Sequence, residues 1–107
     1  MTGVQTCALP ISASKYQLFA LANTVPPKPG LVRVKEGGNQ IDIELYDFPQ
    51  ESIGSFLNLI PAPLGLGTIE LEDGSWVKGF ICEPVGIVGA TNISHYGGWK
   101  NYLKETA

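Results

Sequence analysis

The chain has 107 residues, 44% of them hydrophobic and 16% charged, with a formal net charge of −3 at pH 7. This length allows one small domain with a single modest core. The acidic balance, with seven Lys and Arg that do not cluster, excludes a nucleic-acid role that needs a basic face, and no apolar run approaches the roughly 20 residues of a membrane-spanning helix.

Residues 1–11 read MTGVQTCALPI. They match, codon by codon, the translation of a DNA sequencing adapter, and Ser12 uses the adapter's last base. Residues 1–12 are therefore expected to be adapter-derived and non-native, leaving 13–107 as the domain. The true N-terminus is then expected to be missing, and residues 1–12 should either hang loose or fill the groove left by the lost strand. Setting them aside removes Cys7 and leaves Cys82 as the one native cysteine. No intrachain disulfide is then available, which fits a reducing cytoplasm. A lone cysteine with the lone His95 supplies no metal site, and no metal or organic cofactor is implied.

In chain order, residues 15–21 alternate and are rich in aromatic and aliphatic side chains, so they predict a strand. Residues 23–30 hold Pro26, Pro27 and Pro29 and predict an extended loop, because proline lacks the backbone donor that regular structure uses. Residues 31–34 predict a short strand, followed by a turn at Gly37-Gly38-Asn39. Residues 41–46 give the cleanest strand pattern, with Ile41, Ile43 and Leu45 facing the core and Asp42 and Glu44 facing water. Asp47 then reads as a helix N-cap with Gln50 three residues on. Ile53, Phe56, Leu57 and Ile60 follow at helical spacing and predict one buried face; Pro61 ends the helix.

Residues 68–72 and 75–82 predict two strands joined at Asp73-Gly74, a strong hairpin signal. The glycine-rich residues 85–90 have no assignable pattern. Gly97-Gly98 precedes a last short helix with Trp99, Tyr102 and Leu103 on one face. The order predicts an α+β domain, mainly antiparallel, with one or two short helices and the strands closed as a small mixed barrel.

Several blocks then agree in order and spacing with one family. Residues 25–34 (VPPKPGLVRV), 60–71 (IPAPLGLGTIEL), 77–83 (VKGFICE) and 97–103 (GGWKNYL) resemble the allophanate hydrolase C-terminal domain, as does the strand YQLFAL at 16–21. The resemblance implies a gamma-glutamylcyclotransferase-like fold with a cavity and a place in urea degradation. In the two-domain enzyme of that family, an amidase domain releases ammonia from allophanate and leaves N-carboxycarbamate. The C-terminal domain decarboxylates that product. Versions without the amidase domain also occur, with less defined substrates.

The present chain lacks the Ser-Ser-Lys machinery of an amidase. The resemblance also implies a first strand with a GxHLxGxPLN-like segment, which is expected to be missing ahead of Tyr16. Expected partners are a small anionic substrate, an amidase domain or subunit, and a second copy in a homodimer. One departure matters: residues 59–63 carry no acid where cyclotransferase chemistry needs a cavity glutamate, which argues against that activity.

Candidate residues follow, each beside a plainer reading. Arg33 lies in the PPKPGLVR block, and a guanidinium grips a small dianion bidentately; the alternative is an exposed strand arginine. Lys28 adds a second positive charge or is a solvated loop lysine. Glu83 is a general acid if buried, or a rim carboxylate. Pro63, Gly65 and Gly67 present backbone to a substrate carboxylate, or simply lead from helix to strand. Trp76 and Trp99 read as packing residues, His95 as an exposed loop residue, and Cys82 as an inert core thiol.

Two functions are thus open: decarboxylation of N-carboxycarbamate, with Arg33 and Glu83 as the catalytic pair, or a non-catalytic ligand-binding or dimerisation module supporting an amidase.

Overall fold

The computed structural model describes residues 10–45 and 49–107. The chain forms β1 (Tyr16–Ala20), β2 (Pro29–Arg33), α1 (Gln50–Leu57), β3 (Leu64–Glu70), β4 (Trp76–Cys82), β5 (Thr91–Asn92) and α2 (Trp99–Glu105). Two 3-10 turns, Pro84–Ile87 and Ser94–Tyr96, flank β5.

All strand pairs are antiparallel. β1 lies between β2 and β5, with Leu18 opposite Leu31 and Ala20 opposite Pro29. β3 and β4 form a separate hairpin from Leu64↔Cys82 to Glu70↔Trp76. At its tip Gly74 has φ +90°, a conformation only glycine adopts without strain. Asp73 Oδ1 accepts from the Ser75 N–H at 3.0 Å and from its hydroxyl at 2.6 Å, and these bonds lower the carboxyl's pKa from its ordinary value.

The core lies between the two sheets. Tyr16, Leu18, Leu31, Ile41, Ile69 and Ile93 form one buried cluster, with Trp99 and Tyr102 of α2 packed on its edge. Burial of large apolar side chains is the dominant favourable term here. Gly38 admits the turn after β2 against β1: an added Cβ would stand 2.5 Å from Lys15 Cα and 2.7 Å from Tyr16 N. Backbone cannot yield as a side chain can. Gly38→Ala is expected to cost about 1–3 kcal/mol by overpacking, read as a fall in Tm of roughly 5–15 °C.

Three expectations change. Among the described residues the strands make two open sheets and no closed barrel of the kind expected. The expected strand at 41–46 contributes only a bridge at Asp42, facing Ile11. Its alternation is correct, since Ile41 is 2% exposed and Asp42 is on the surface, but its backbone meets a new partner at each residue. Ile41 pairs with Ser12, the Asp42 N–H donates to the Gly97 carbonyl, and the Ile43 N–H donates to that of Pro10. Pro10 has no N–H to return, so among the described residues no ladder propagates there and no continuous strand links the sheets; Tyr46, the last residue of the expected strand, lies outside them.

The third change concerns α1. None of its residues is buried, and Ile53 is 37% exposed where a buried face was expected. Phe56 meets Phe80 with ring centroids 5.6 Å apart. Pro49 occupies the N-cap position; the proposed cap Asp47 lies outside the described residues.

Smaller shifts follow from pairing. β2 starts earlier than expected, at Pro29, because Ala20 closes the sheet there. Leu103 is 44% exposed, so α2 packs through Trp99 and Tyr102.

The described end of the 1–12 segment is not loose. Ser12 is fully buried, its hydroxyl accepts the Ile41 N–H at 3.0 Å and donates to the Ala13 carbonyl at 2.9 Å, and the Glu72 N–H donates to the Ile11 carbonyl at 3.0 Å. Residues 10–13 thus stitch 41–43 to 70–72.

Candidate functional site

The proline loop between β1 and β2 folds back on itself. The Leu21 N–H donates to the Lys28 carbonyl at 3.0 Å, and the Lys28 N–H donates to Thr24 Oγ1 at 3.1 Å. Facing this loop is the turn between α1 and β3. Pro63 is backed by Cys82 and Gly86, where an added Cβ on Gly86 would run into the Pro63 ring, and the Pro63 carbonyl accepts the Glu83 N–H at 2.9 Å. Both segments contain a cis peptide bond, Val25-Pro26 and Ala62-Pro63.

Between them lies an open cleft of about 230 Å³ lined by Leu21, Thr24, Val25, Lys28, Pro61, Ala62, Pro63 and Leu64. Lys28 is the only charged residue among these. Its ammonium has no hydrogen bond or ion pair with any described residue. The wall opposite offers little to an anion: Pro61 and Pro63 have no N–H, and the Leu64 N–H is used on the Pro61 carbonyl at 3.0 Å. Ala62 alone keeps a backbone donor there. The arrangement can hold one small anionic group at the lysine and press an uncharged or poorly solvated body against proline and leucine.

Arg33 belongs to a different constellation. It ends β2 five residues beyond Lys28, about 16 Å along the chain from the cleft. Its Nη1 donates to the Tyr16 hydroxyl and its Nη2 to Glu70 Oε1, both at 3.0 Å; Lys15 Nζ reaches the same carboxylate oxygen at 3.0 Å. The Tyr16 oxygen also accepts the Glu70 N–H at 2.8 Å. The guanidinium lies between two rings, 5.2 Å from the Trp76 centroid and 5.6 Å from that of Tyr16, the geometry of a cation–π pair. Glu70 and then Tyr16 raise the pKa of Arg33, so it stays charged throughout.

Hydrogen bonds from Lys15 and then Arg33 hold the Glu70 carboxyl below its ordinary range. A pKa depressed on folding contributes stability above the unfolded value, and that contribution disappears as pH falls through the folded value. Acid titration is therefore expected to destabilise the wild type through and below the ordinary glutamate range. Glu70→Gln should flatten that acid limb, measured by urea unfolding at stepped pH, and an unchanged limb would remove Glu70 from the account.

The remaining candidates disperse. Lys28 and Pro63 meet at the cleft. Gly65 and Gly67 lie in β3, paired with Ile81 and Gly79, and line no part of it. Glu83 follows β4, is exposed, and touches the cleft wall only through its backbone bond to Pro63. Cys82 is buried, and burial, followed by the charge of Glu83, raises its thiol pKa. His95 is exposed beside Tyr96, Trp76 is 53% exposed under Arg33, and Trp99 packs on Tyr102.

Thr24 was not singled out in the sequence. A threonine four residues before Lys28 in a proline loop was the available signal, since a hydroxyl at such spacing ties backbone in turns. Among the described residues no group of three or more His, Cys, Asp and Glu is placed to hold a metal, and no helix is long and apolar enough to cross a membrane.

The model of the family described as the allophanate hydrolase C-terminal domain matches residues 3–104. The chain belongs to this family. It is 48% identical over 98 residues to the urea amidolyase of Lachancea kluyveri, an alignment covering 88% of this chain and 5% of that protein. The solved Kluyveromyces lactis allophanate hydrolase superposes with a TM-score of 0.90 at 41% identity, over 97% of this chain and 18% of that one. The solved K. lactis urea amidolyase superposes with a TM-score of 0.89 at 41% identity, over 96% of this chain and 6% of that one. The chain thus spans a small part of these three relatives, and its fold matches the two solved ones over nearly its whole length.

Proposed function

We propose that this domain acts in urea degradation by decarboxylating N-carboxycarbamate delivered by an amidase domain or subunit, and that the cleft beside Lys28 is where it does so. The observation that carries the reading is an unpartnered ammonium at the edge of an otherwise uncharged, proline-walled cleft. The family membership and the names of the longer relatives, urea amidolyase and allophanate hydrolase, support the substrate class.

In this reading Lys28 holds one carboxylate. The second carboxylate is pressed toward Pro61, Pro63 and Leu64, where it loses solvation. Losing water destabilises a localised charge more than the neutral CO₂ it becomes. The bond between that carboxyl carbon and nitrogen breaks and its electron pair goes to nitrogen. Nitrogen takes a proton from water at the open mouth, leaving hydroxide, CO₂ and a carbamate still paired with Lys28. Glu83 lines no part of the cleft, so we assign it no proton transfer. We assign Arg33 to the framework, because its guanidinium is engaged by Glu70, Tyr16 and Trp76.

The test supplies allophanate to an amidase and measures CO₂ release with and without this chain. Acceleration above the uncatalysed rate, lost in Lys28→Met and kept in Arg33→Gln, supports the reading; no acceleration by the folded chain overturns it. A second reading, a non-catalytic module that dimerises or supports an amidase, is favoured by the exposed Leu59, Val85 and Val88, at 76%, 72% and 77%. It requires association with an amidase or with a second copy, seen by size-exclusion chromatography, and no effect on CO₂ release.

A further inference from the structure

The side-chain donors of the cleft can be counted, and they specify more than an anion. The Thr24 oxygen accepts the Lys28 N–H, so one lone pair is used and the hydroxyl hydrogen has no acceptor among the described residues. Lys28 brings three N–H donors on a half-buried side chain, none of them engaged. The same backbone bond that occupies Thr24 also fixes the spacing of the two residues. Both line the cleft, and among the described residues no Asp, Glu, Asn or Gln lines it with them. An ammonium-bearing ligand would find no counter-ion there and would lose its hydration without compensation.

We propose that Thr24 and Lys28 form a two-donor carboxylate clamp that admits small carboxylates carrying no ammonium group. The inference rests on reading this cleft as the anion site and adds to it a residue, Thr24, and a rule of selection. Thr24 donates to one carboxylate oxygen and Lys28 to the other. The apolar wall accepts a short body, and a zwitterion of the same shape is turned away.

Calorimetric titration of the 107-residue chain with malonate, propionate and β-alanine tests this. Malonate is a stable dianion of the size of N-carboxycarbamate; propionate and β-alanine differ chiefly by an ammonium. The clamp predicts that malonate binds and that β-alanine binds at least tenfold more weakly than propionate. Thr24→Val should weaken malonate roughly ten- to a hundredfold, the range of a hydrogen bond to a charged group, and Thr24→Ser should restore it.

Equal binding of β-alanine and propionate, absence of malonate binding, or unchanged affinity in Thr24→Val would each overturn the clamp. So would a loss in Thr24→Val that Thr24→Ser fails to restore, because Ser keeps the hydroxyl and lacks only the methyl. If malonate follows every prediction while CO₂ release is not accelerated, the clamp stands and the decarboxylation reading falls.

Discussion

Lys28→Met is expected to weaken malonate binding roughly ten- to a hundredfold, the value of a charge-assisted hydrogen bond, and to bring CO₂ release down to the uncatalysed rate. The fold should not notice. The ammonium makes no hydrogen bond or ion pair with any described residue that its loss would break, and Met keeps an apolar stem of similar length. The loop is instead closed by backbone, through the Leu21 N–H on the Lys28 carbonyl and the Lys28 N–H on Thr24. Stability should therefore change by no more than about 0.5 kcal/mol. A thermal melt beside the titration checks both halves, and a destabilised Lys28→Met with unchanged malonate affinity would reassign Lys28 to the framework.

Tyr16→Ala is expected to be strongly destabilising, leaving a chain that starts at the low end of ordinary stability only marginally folded at room temperature. The side chain is fully buried in the cluster with Leu18, Leu31, Ile41, Ile69 and Ile93. Removing such an aromatic costs about 3–5 kcal/mol, against a total stability of about 5–15 kcal/mol for an ordinary domain. Its hydroxyl does a second job by accepting from Arg33 and from the Glu70 N–H, which joins β1, β2 and β3 at one oxygen. Tyr16→Phe isolates that job. It keeps the ring, strands a half-buried amide, and should cost about 1–3 kcal/mol, measured as a lower urea midpoint with an unchanged slope. A Phe variant as stable as the wild type would show that the hydroxyl is not a joint.

What could be read from the chain depended on how local the cause was. The hairpin was legible because Asp73-Gly74 supplies both its positive φ and its side-chain lock within three residues. The alternation at 41–45 predicted which side chains are buried, but a pattern of side chains says nothing of backbone partners, and Ile41, Asp42 and Ile43 each found a different one. In α1 the helical period was right, while burial of its apolar stripe depends on what the rest of the fold sets against it.

The site divides in the same way. Lys28 and Pro63 stand out as a cation and a rigid turn in the sequence itself. Arg33 also stands out, but the carboxylate that occupies it is 37 positions away, beyond any local pattern. Thr24 was overlooked because its value comes from a loop closure across Pro26 and Pro27. Ser12, set aside with the adapter-like segment, owes its burial to 41–43 and 70–72, both remote in sequence.

The claim that the cleft, and not the Arg33 cluster, receives the anion is tested most directly by amide chemical shifts of the isotope-labelled chain during a malonate titration. The account predicts saturable shifts at Thr24, Val25, Lys28, Ala62 and Leu64, with the Arg33 amide and the Trp76 indole N–H unmoved. Shifts centred on Arg33, Glu70 and Trp76, with the cleft silent, would contradict it.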